Sequence, residues 1–222
     1  MTAIADFRTR IGLLLANELT SDYSSDRIDE GLKEALSHYN NALPLDRETV
    51  IVLPGDGREI ALNGITGIRA VIDVYWPFDS LAEPWPPNRV RGWYLYWDDT
   101  QPVLYLNSLE GGEPQLADEL RLWYVTYHTI DGLDSASETT IPTEHESLLV
   151  KGAAGYAALS RTVFLTEATS ADMFGAGLLA TWANRTIRAF EQELEQIKCT
   201  RTRAGQFGSS FTPGWKLDKW DV

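Results

Sequence analysis

The hydrophobic period of this chain changes twice, and that change most constrains its fold. Apolar residues recur every three or four positions up to about Asn41, every second position from about Arg47 to His128, and every three or four again to about Cys199. The first spacing belongs to amphipathic helices and the second to half-buried strands. The order predicts an α+β fold. It consists of a helical bundle, made of an N-terminal helical hairpin plus two long C-terminal helices, with an inserted antiparallel β-rich region and an extended C-terminal arm. The segments are 1-44 for the hairpin, 45-128 for the β-rich insertion, 129-199 for the helical pair and 200-222 for the arm. With 222 residues, the chain can bury a sizeable core without disulfide staples.

In the first segment Ile4, Phe7, Ile11, Leu14 and Leu15 form one apolar stripe, and Ile28, Leu32, Ala35, Leu36 and Tyr39 form another. The polar run Thr20–Ser25 separates them and supplies N-caps. In the insertion, Val50–Leu53 and Arg58–Leu62 flank Pro54-Gly55-Asp56-Gly57, which reads as a hairpin. Ala70–Trp76 reads as a strand stopped by Pro77, Trp93–Trp97 and Val103–Leu106 as a pair around Asp98–Pro102, and Leu120–Tyr127 as the last strand. Five of the eight Trp lie here: Trp76, Trp85, Trp93, Trp97 and Trp123. After the polar linker Thr129–Ile141, Thr143 and Glu146 fit a capping box ahead of the apolar run Leu148–Leu159. The next helix carries Phe174, Leu178, Leu179, Trp182, Ile187, Phe190, Leu194 and Ile197 as its apolar positions.

Charge and cysteine count exclude several functions. The formal net charge is -13, from 32 acidic and 19 basic residues. That balance opposes a grip on nucleic-acid phosphates and docking on anionic lipid. Cys199 is the one cysteine, so there is no internal disulfide and no multi-cysteine zinc site. The expected compartment is a reducing cytoplasm. No apolar run reaches the ~18 residues of a membrane span. The N-terminal stretch Ile11–Ala16, cut off by Glu18, is too short and too charged for a signal peptide.

Candidate chemistry is sparse. His38, His128 and His145 have no second His or Cys at helical ligand spacing. His145, between Glu144 and Glu146, reads as a solvated first-turn residue, and His128 is a weak candidate for a general base. The expectation is no catalytic site, no metal and no cofactor. Gly152, Gly155, Gly175 and Gly177 match no phosphate loop. They read instead as sites of close helix packing, because glycine costs a helix about 1 kcal/mol against alanine and needs compensation. Acidic pairs such as Asp98-Asp99, with the Trp-rich strands, leave open a carbohydrate-binding or carbohydrate-active protein.

The last segment differs from the rest. Arg201, Arg203, Lys216 and Lys219 against Asp218 and Asp221 make it +2, leaving -15 on the remainder. It also holds Phe207, Phe211, Trp215 and Trp220. Aromatics and arginine are anchor residues. The docking candidates are therefore Arg201, Arg203, Phe207, Phe211, Trp215 and Trp220.

The order of parts resembles the head–tail adaptor (connector) proteins of tailed bacteriophages. The likeness rests on Leu120-Arg121-Leu122-Trp123-Tyr124, the loop His128-Thr129-Ile130-Asp131-Gly132-Leu133, the turn Ile141-Pro142-Thr143-Glu144-His145-Glu146 and the Gly/Ala-rich stretch up to Leu159. The segment Ile28-Asp29-Glu30-Gly31-Leu32-Lys33-Glu34-Ala35-Leu36 is similar to the family's second helix. The resemblance implies a structural virion protein, assembled in the host cytoplasm and placed at the head–tail junction. It would form a homo-oligomer ring of about twelve copies. Its partners would be the portal protein and the next tail component, a tail completion protein or nozzle, with DNA passing through without sequence-specific binding. Another tail or head completion protein is the neighbouring reading.

Overall fold

The computed structural model describes residues 2–16, 23–82, 88–99, 101–109, 112–167 and 173–211, the side chains of 108, 166–167, 173–174 and 202–211 excepted. Among the described residues four helices and six strands follow in the order α1 (Ile4–Leu14), α2 (Ser25–Ala42), β1 (Leu45–Val52), β2 (Glu59–Ala61), β3 (Ala70–Phe78), β4 (Gly92–Asp98), β5 (Gln101–Ser108), β6 (Glu119–Thr126), α3 (Thr143–Glu167) and α4 (Met173–Phe211). This is an α+β fold with the sheets inserted between the helices. Two compact units result: Met1–Leu43 with His128–Val222, and Pro44–Tyr127.

In the helical unit, α1, α2 and α4 all pack on α3. Small residues on α3 make this possible. Ala153, Ala154 and Ala157 are fully buried, and a Cβ on Gly31 of α2 would stand 2.7 Å from the Ala153 carbonyl oxygen. Ser24 caps α2 by accepting from the Arg27 N–H at 3.3 Å, as the polar run before it predicts. Thr143–Leu165 is long and apolar enough to cross a membrane, contrary to the reading of the sequence. Its apolar length reflects burial instead: Leu148, Leu149 and Val150 are at most 4% exposed.

Two features of this unit differ from expectation. Thr143 and Glu146 do not form a capping box; Thr143 is already inside α3. The Glu146 carboxylate is buried and takes the Arg10 guanidinium of α1 at 2.7 Å, a stronger partner than a backbone N–H. The segment Thr129–Ile141 is more than a linker. Asp131 bridges Ala3, its carbonyl accepts from the Ile4 N–H at 3.0 Å, and Thr139 Oγ1 donates to the Thr2 carbonyl at 2.6 Å. These bonds fasten the start of α1.

The β unit has two three-stranded antiparallel sheets, β1-β6-β3 and β2-β5-β4. They share one core, with Val74, Leu120 and Leu122 from the first and Ile60, Leu104 and Leu106 from the second. The hairpin expected across Pro54–Gly57 is not one, because β1 and β2 lie in different sheets. All eight residues of β1 pair with β6. Leu53 then exchanges hydrogen bonds with Asp118 and Ala117, and the Gly57 N–H, at φ 114°, donates to the Pro114 carbonyl. The glycine marks a real turn, but the turn is built on the 114–118 segment. Pro77 does not stop β3 either. The strand is an edge of its sheet with a register shift between Tyr75 and Phe78, where a residue without an N–H is tolerated.

These contacts predict opposite outcomes for two helical glycines. Gly31→Ala forces a methyl against the Ala153 and Ala157 backbone at 2.7 and 2.9 Å and should cost about 1–3 kcal/mol. Gly177→Ala meets nothing within 4 Å and should gain about 0.5–1 kcal/mol from helix propensity. Urea denaturation midpoints check both, and a gain for Gly31→Ala would refute the packing argument.

Candidate functional site

The candidate site is the C-terminal length of α4, and its position follows from how α4 packs. Gly152 of α3 faces Phe190, where a Cβ would come within 2.8 Å of the ring, and Gly155 faces Ile187 at 2.9 Å. Lys151 reaches Glu193 at 3.5 Å. The two helices are therefore antiparallel, and the start of α3 comes level with Thr200. With 39 residues in α4 against 25 in α3, and 1.5 Å per residue, about 15–20 Å of α4 runs on past α3.

An extended arm from Thr200 is predicted, but the backbone stays helical to Phe211. Gly205 and Gly208 break the apolar period and mask the helix in the sequence. An established helix nevertheless propagates through such residues far more easily than it nucleates. Arg203, Phe207 and Phe211 fall on this helix four residues apart, the spacing of one helix face. Their side chains, with Trp215 and Trp220, lie outside the described residues.

Arg201 is exposed and its charge reaches Tyr39. Tyr39 is 1% exposed, and burial pushes its hydroxyl up to about 12, with Arg201 opposing and Glu144 reinforcing the shift. The hydroxyl lies 2.6 Å from His145 Nδ1, and the Tyr39 ring meets His128 and His145 edge-on. His145 is thus half-buried and bonded, not simply solvated. His128 is 6% exposed, its Nδ1–H donating to the Thr140 carbonyl at 2.9 Å. Asn40 grips the His128 backbone on both sides, accepting from its N–H at 2.6 Å and donating to its carbonyl at 3.3 Å. A base needs access to a substrate proton, so these bonds give His128 a structural role. The third histidine, His38, stacks on Tyr156 at 5.4 Å.

Of the other glycines singled out, Gly175 is half-buried, and Gly177 has open space around it and is not a packing contact. Gly31, which supplies the tightest approach, carries no signal that distinguishes it from any helical glycine. The apolar stripe predicted for α4 also divides. Ala176, Ala183, Ile187, Phe190 and Leu194 face inward, while Leu178 and Trp182 are 58% and 39% exposed. Ala176 and Ala183 share that inner face with Ile187 and Phe190, which fill the space that Gly155 and Gly152 leave open. Cys199 is exposed on the outer face, its thiol 3.8 Å from Glu195 Oε1.

No family model matches the sequence, and no curated protein does. Among solved structures the chain is similar to one in the "Neck of empty GTA particle computed with C6 symmetry", at 15% identity over 72% of this chain and 78% of that one. The TM-score is 0.28, too low to equate the two folds.

The buried tyrosine makes a testable pH prediction. Its folded pKa of about 12 lies above the ordinary 10.0, so the unfolded state loses the proton first. Stability from this group is whole below pH 10 and falls as pH rises through 12. Tyr39→Phe should flatten that part of the fall, read as the dependence of the urea midpoint on pH between 9 and 12; an unchanged slope would contradict it.

Proposed function

We propose that this chain is a structural subunit of a head–tail adaptor ring in a phage-like particle. In this reading it joins a portal to the next tail component and surrounds the DNA path. The observation that carries the reading is α4, a single 39-residue helix that continues beyond the helix it packs on. Its last turns and the residues after them hold Arg201, Arg203, Phe207, Phe211, Trp215 and Trp220 on a +2 segment of an acidic chain. Such a projection suits insertion into a groove on a partner, with aromatic and arginine anchors. The charge has a use as well. About twelve copies around a channel multiply the -13 of each chain, and a negative wall repels DNA and keeps it sliding.

The side chains best able to do chemistry are committed to structure, which favours a mechanical role. His128 and His145 hold the α2–α3 junction, and His38 stacks on Tyr156. The carbohydrate reading fits less well. Trp76 is 5% exposed, Trp93 packs on the β core, and Trp123 has the Arg121 guanidinium over its ring at 5.7 Å. Tyr94 and Tyr105 stack on each other at 4.8 Å. Trp76 and Trp93 are thus taken up by the core, while Tyr94, Trp97 and Trp123 stay 51, 54 and 37% exposed, and these three are what remains for a sugar to stack on.

Truncation after Cys199 tests the arm. The helical bundle keeps its core, so the truncated chain should give an unchanged circular dichroism spectrum and a thermal midpoint within a few degrees of the full chain. Mixed with portal, the full chain should add a ring of density in electron micrographs and the truncated chain should leave the portal bare. A ring formed equally well without the arm sinks the docking assignment, and a bare portal with the full chain sinks the adaptor reading.

A further inference from the structure

Three dipeptides in the chain pair an aspartate or asparagine with a following glycine: Asp56-Gly57, Asn63-Gly64 and Asp131-Gly132. Such a pair can react with itself. The glycine nitrogen closes a five-membered ring when it attacks the side-chain carbonyl carbon of the residue before it, and glycine has no Cβ to hinder the approach. In a folded chain the reaction needs a glycine N–H and a side chain that no other bond holds.

Two of the three pairs are held. The Gly57 N–H donates to the Pro114 carbonyl at 2.9 Å, and the Asp56 carboxylate accepts from the Leu116 N–H at 2.7 Å. The Gly132 N–H donates to the Ala136 carbonyl at 2.9 Å, and the Asp131 backbone is bonded on both sides, to Thr139 and Ile4. Asn63-Gly64 differs. It is the tip of a turn closed by the Ile65 N–H on the Leu62 carbonyl at 3.2 Å, with Gly64 at φ 89°. A positive φ at the third position alone marks a type II turn, whose two central N–H groups take no part in the closing bond. Both residues are exposed. Among the described residues the Gly64 N–H has no acceptor and the Asn63 side chain has no partner. A Cβ on Gly64 would meet nothing within 4 Å.

We infer that Asn63-Gly64 is a self-modifying site of the native chain. The Gly64 nitrogen gives up its proton and attacks Asn63 Cγ. A C–N bond forms, the Cγ–Nδ2 bond breaks, and Nδ2 takes up that proton and leaves as ammonia. Water then opens the cyclic imide. Attack at Cγ gives aspartate; attack at the backbone carbonyl carbon gives isoaspartate, whose main chain runs through Cβ and Cγ. Either product adds one negative charge to a chain of -13. Isoaspartate also adds one carbon to the main chain between Leu62 and Ile68, which are 1 and 8% exposed in the β core. The Leu62 N–H donates to the Pro102 carbonyl at 2.9 Å, one residue past the three-residue β2. The lengthened turn therefore pulls on the edge of the β2-β5-β4 sheet. The inference needs no partner and stands apart from the ring reading.

Ageing the full chain at mildly alkaline pH, folded and in guanidinium chloride, tests it. The tryptic peptide Glu59–Arg69 is followed by mass spectrometry and by enzymatic methylation of isoaspartate. In the folded chain it should exchange the mass of ammonia for that of water at a rate within about tenfold of the unfolded rate. The rate should rise about tenfold per pH unit, because the deprotonated nitrogen is the nucleophile. In Asn63→Ser the peptide should keep its mass. Asp131→Asn is the control: it makes the same dipeptide with the glycine N–H tied, and should react there at least about tenfold more slowly folded than unfolded. An Asn63 that is protected in the folded chain overturns the inference. So does a folded Asp131→Asn chain that reacts as fast at that site as at Asn63. On ageing, the urea midpoint of the wild type should fall as isoaspartate accumulates while that of Asn63→Ser holds. A midpoint that holds in both overturns the effect on the turn.

Discussion

Close approach of helix backbones to α3 is the constraint on which the helical unit depends. Gly31 comes in from α2, and Gly152 and Gly155 on α3 admit Phe190 and Ile187 of α4. A methyl group on Gly31 would press on the Ala153 and Ala157 backbone, and one on Gly152 or Gly155 on the Phe190 or Ile187 side chain, so helix propensity is given up for packing on two sides of one helix. The consequences run outward. With α3 flanked on two sides, Tyr39 and Asn40 at the end of α2 reach His145 and His128, and the loop after His128 fastens the N-terminus. Ala183 and Ala176 lie with Ile187 and Phe190 on the inner face of α4, and Leu178 and Trp182 lie outside.

The architecture was legible because period is a local property. The change from helical to strand spacing near residue 45 and back near 128 needs no knowledge of partners, and the four helices and the strands stand where that change puts them. Which strands pair is a different matter. Pro54-Gly55-Asp56-Gly57 has the residues of a turn, but whether β1 and β2 join one sheet depends on β6 and β5, about 40 to 80 residues away. The same limit explains Glu146. Its spacing from Thr143 suggests a local bond, while Arg10, 136 residues away, wins its carboxylate. For the site, Arg201 was legible as an exposed cation, and the helical state of residues 200–211 was not, because Gly205 and Gly208 erase the period just where α4 leaves its partner.

Charge along the chain is more structured than the total of -13 suggests. Positive excess occurs in two stretches, Ser147–Phe190 and Thr200–Phe211, separated by Glu191, Glu193 and Glu195 of α4. The rest of the chain, taken together, sums to -17. Net repulsion between copies keeps such chains soluble and apart at random orientations, so only an approach that sets a positive region against an acidic one is favoured.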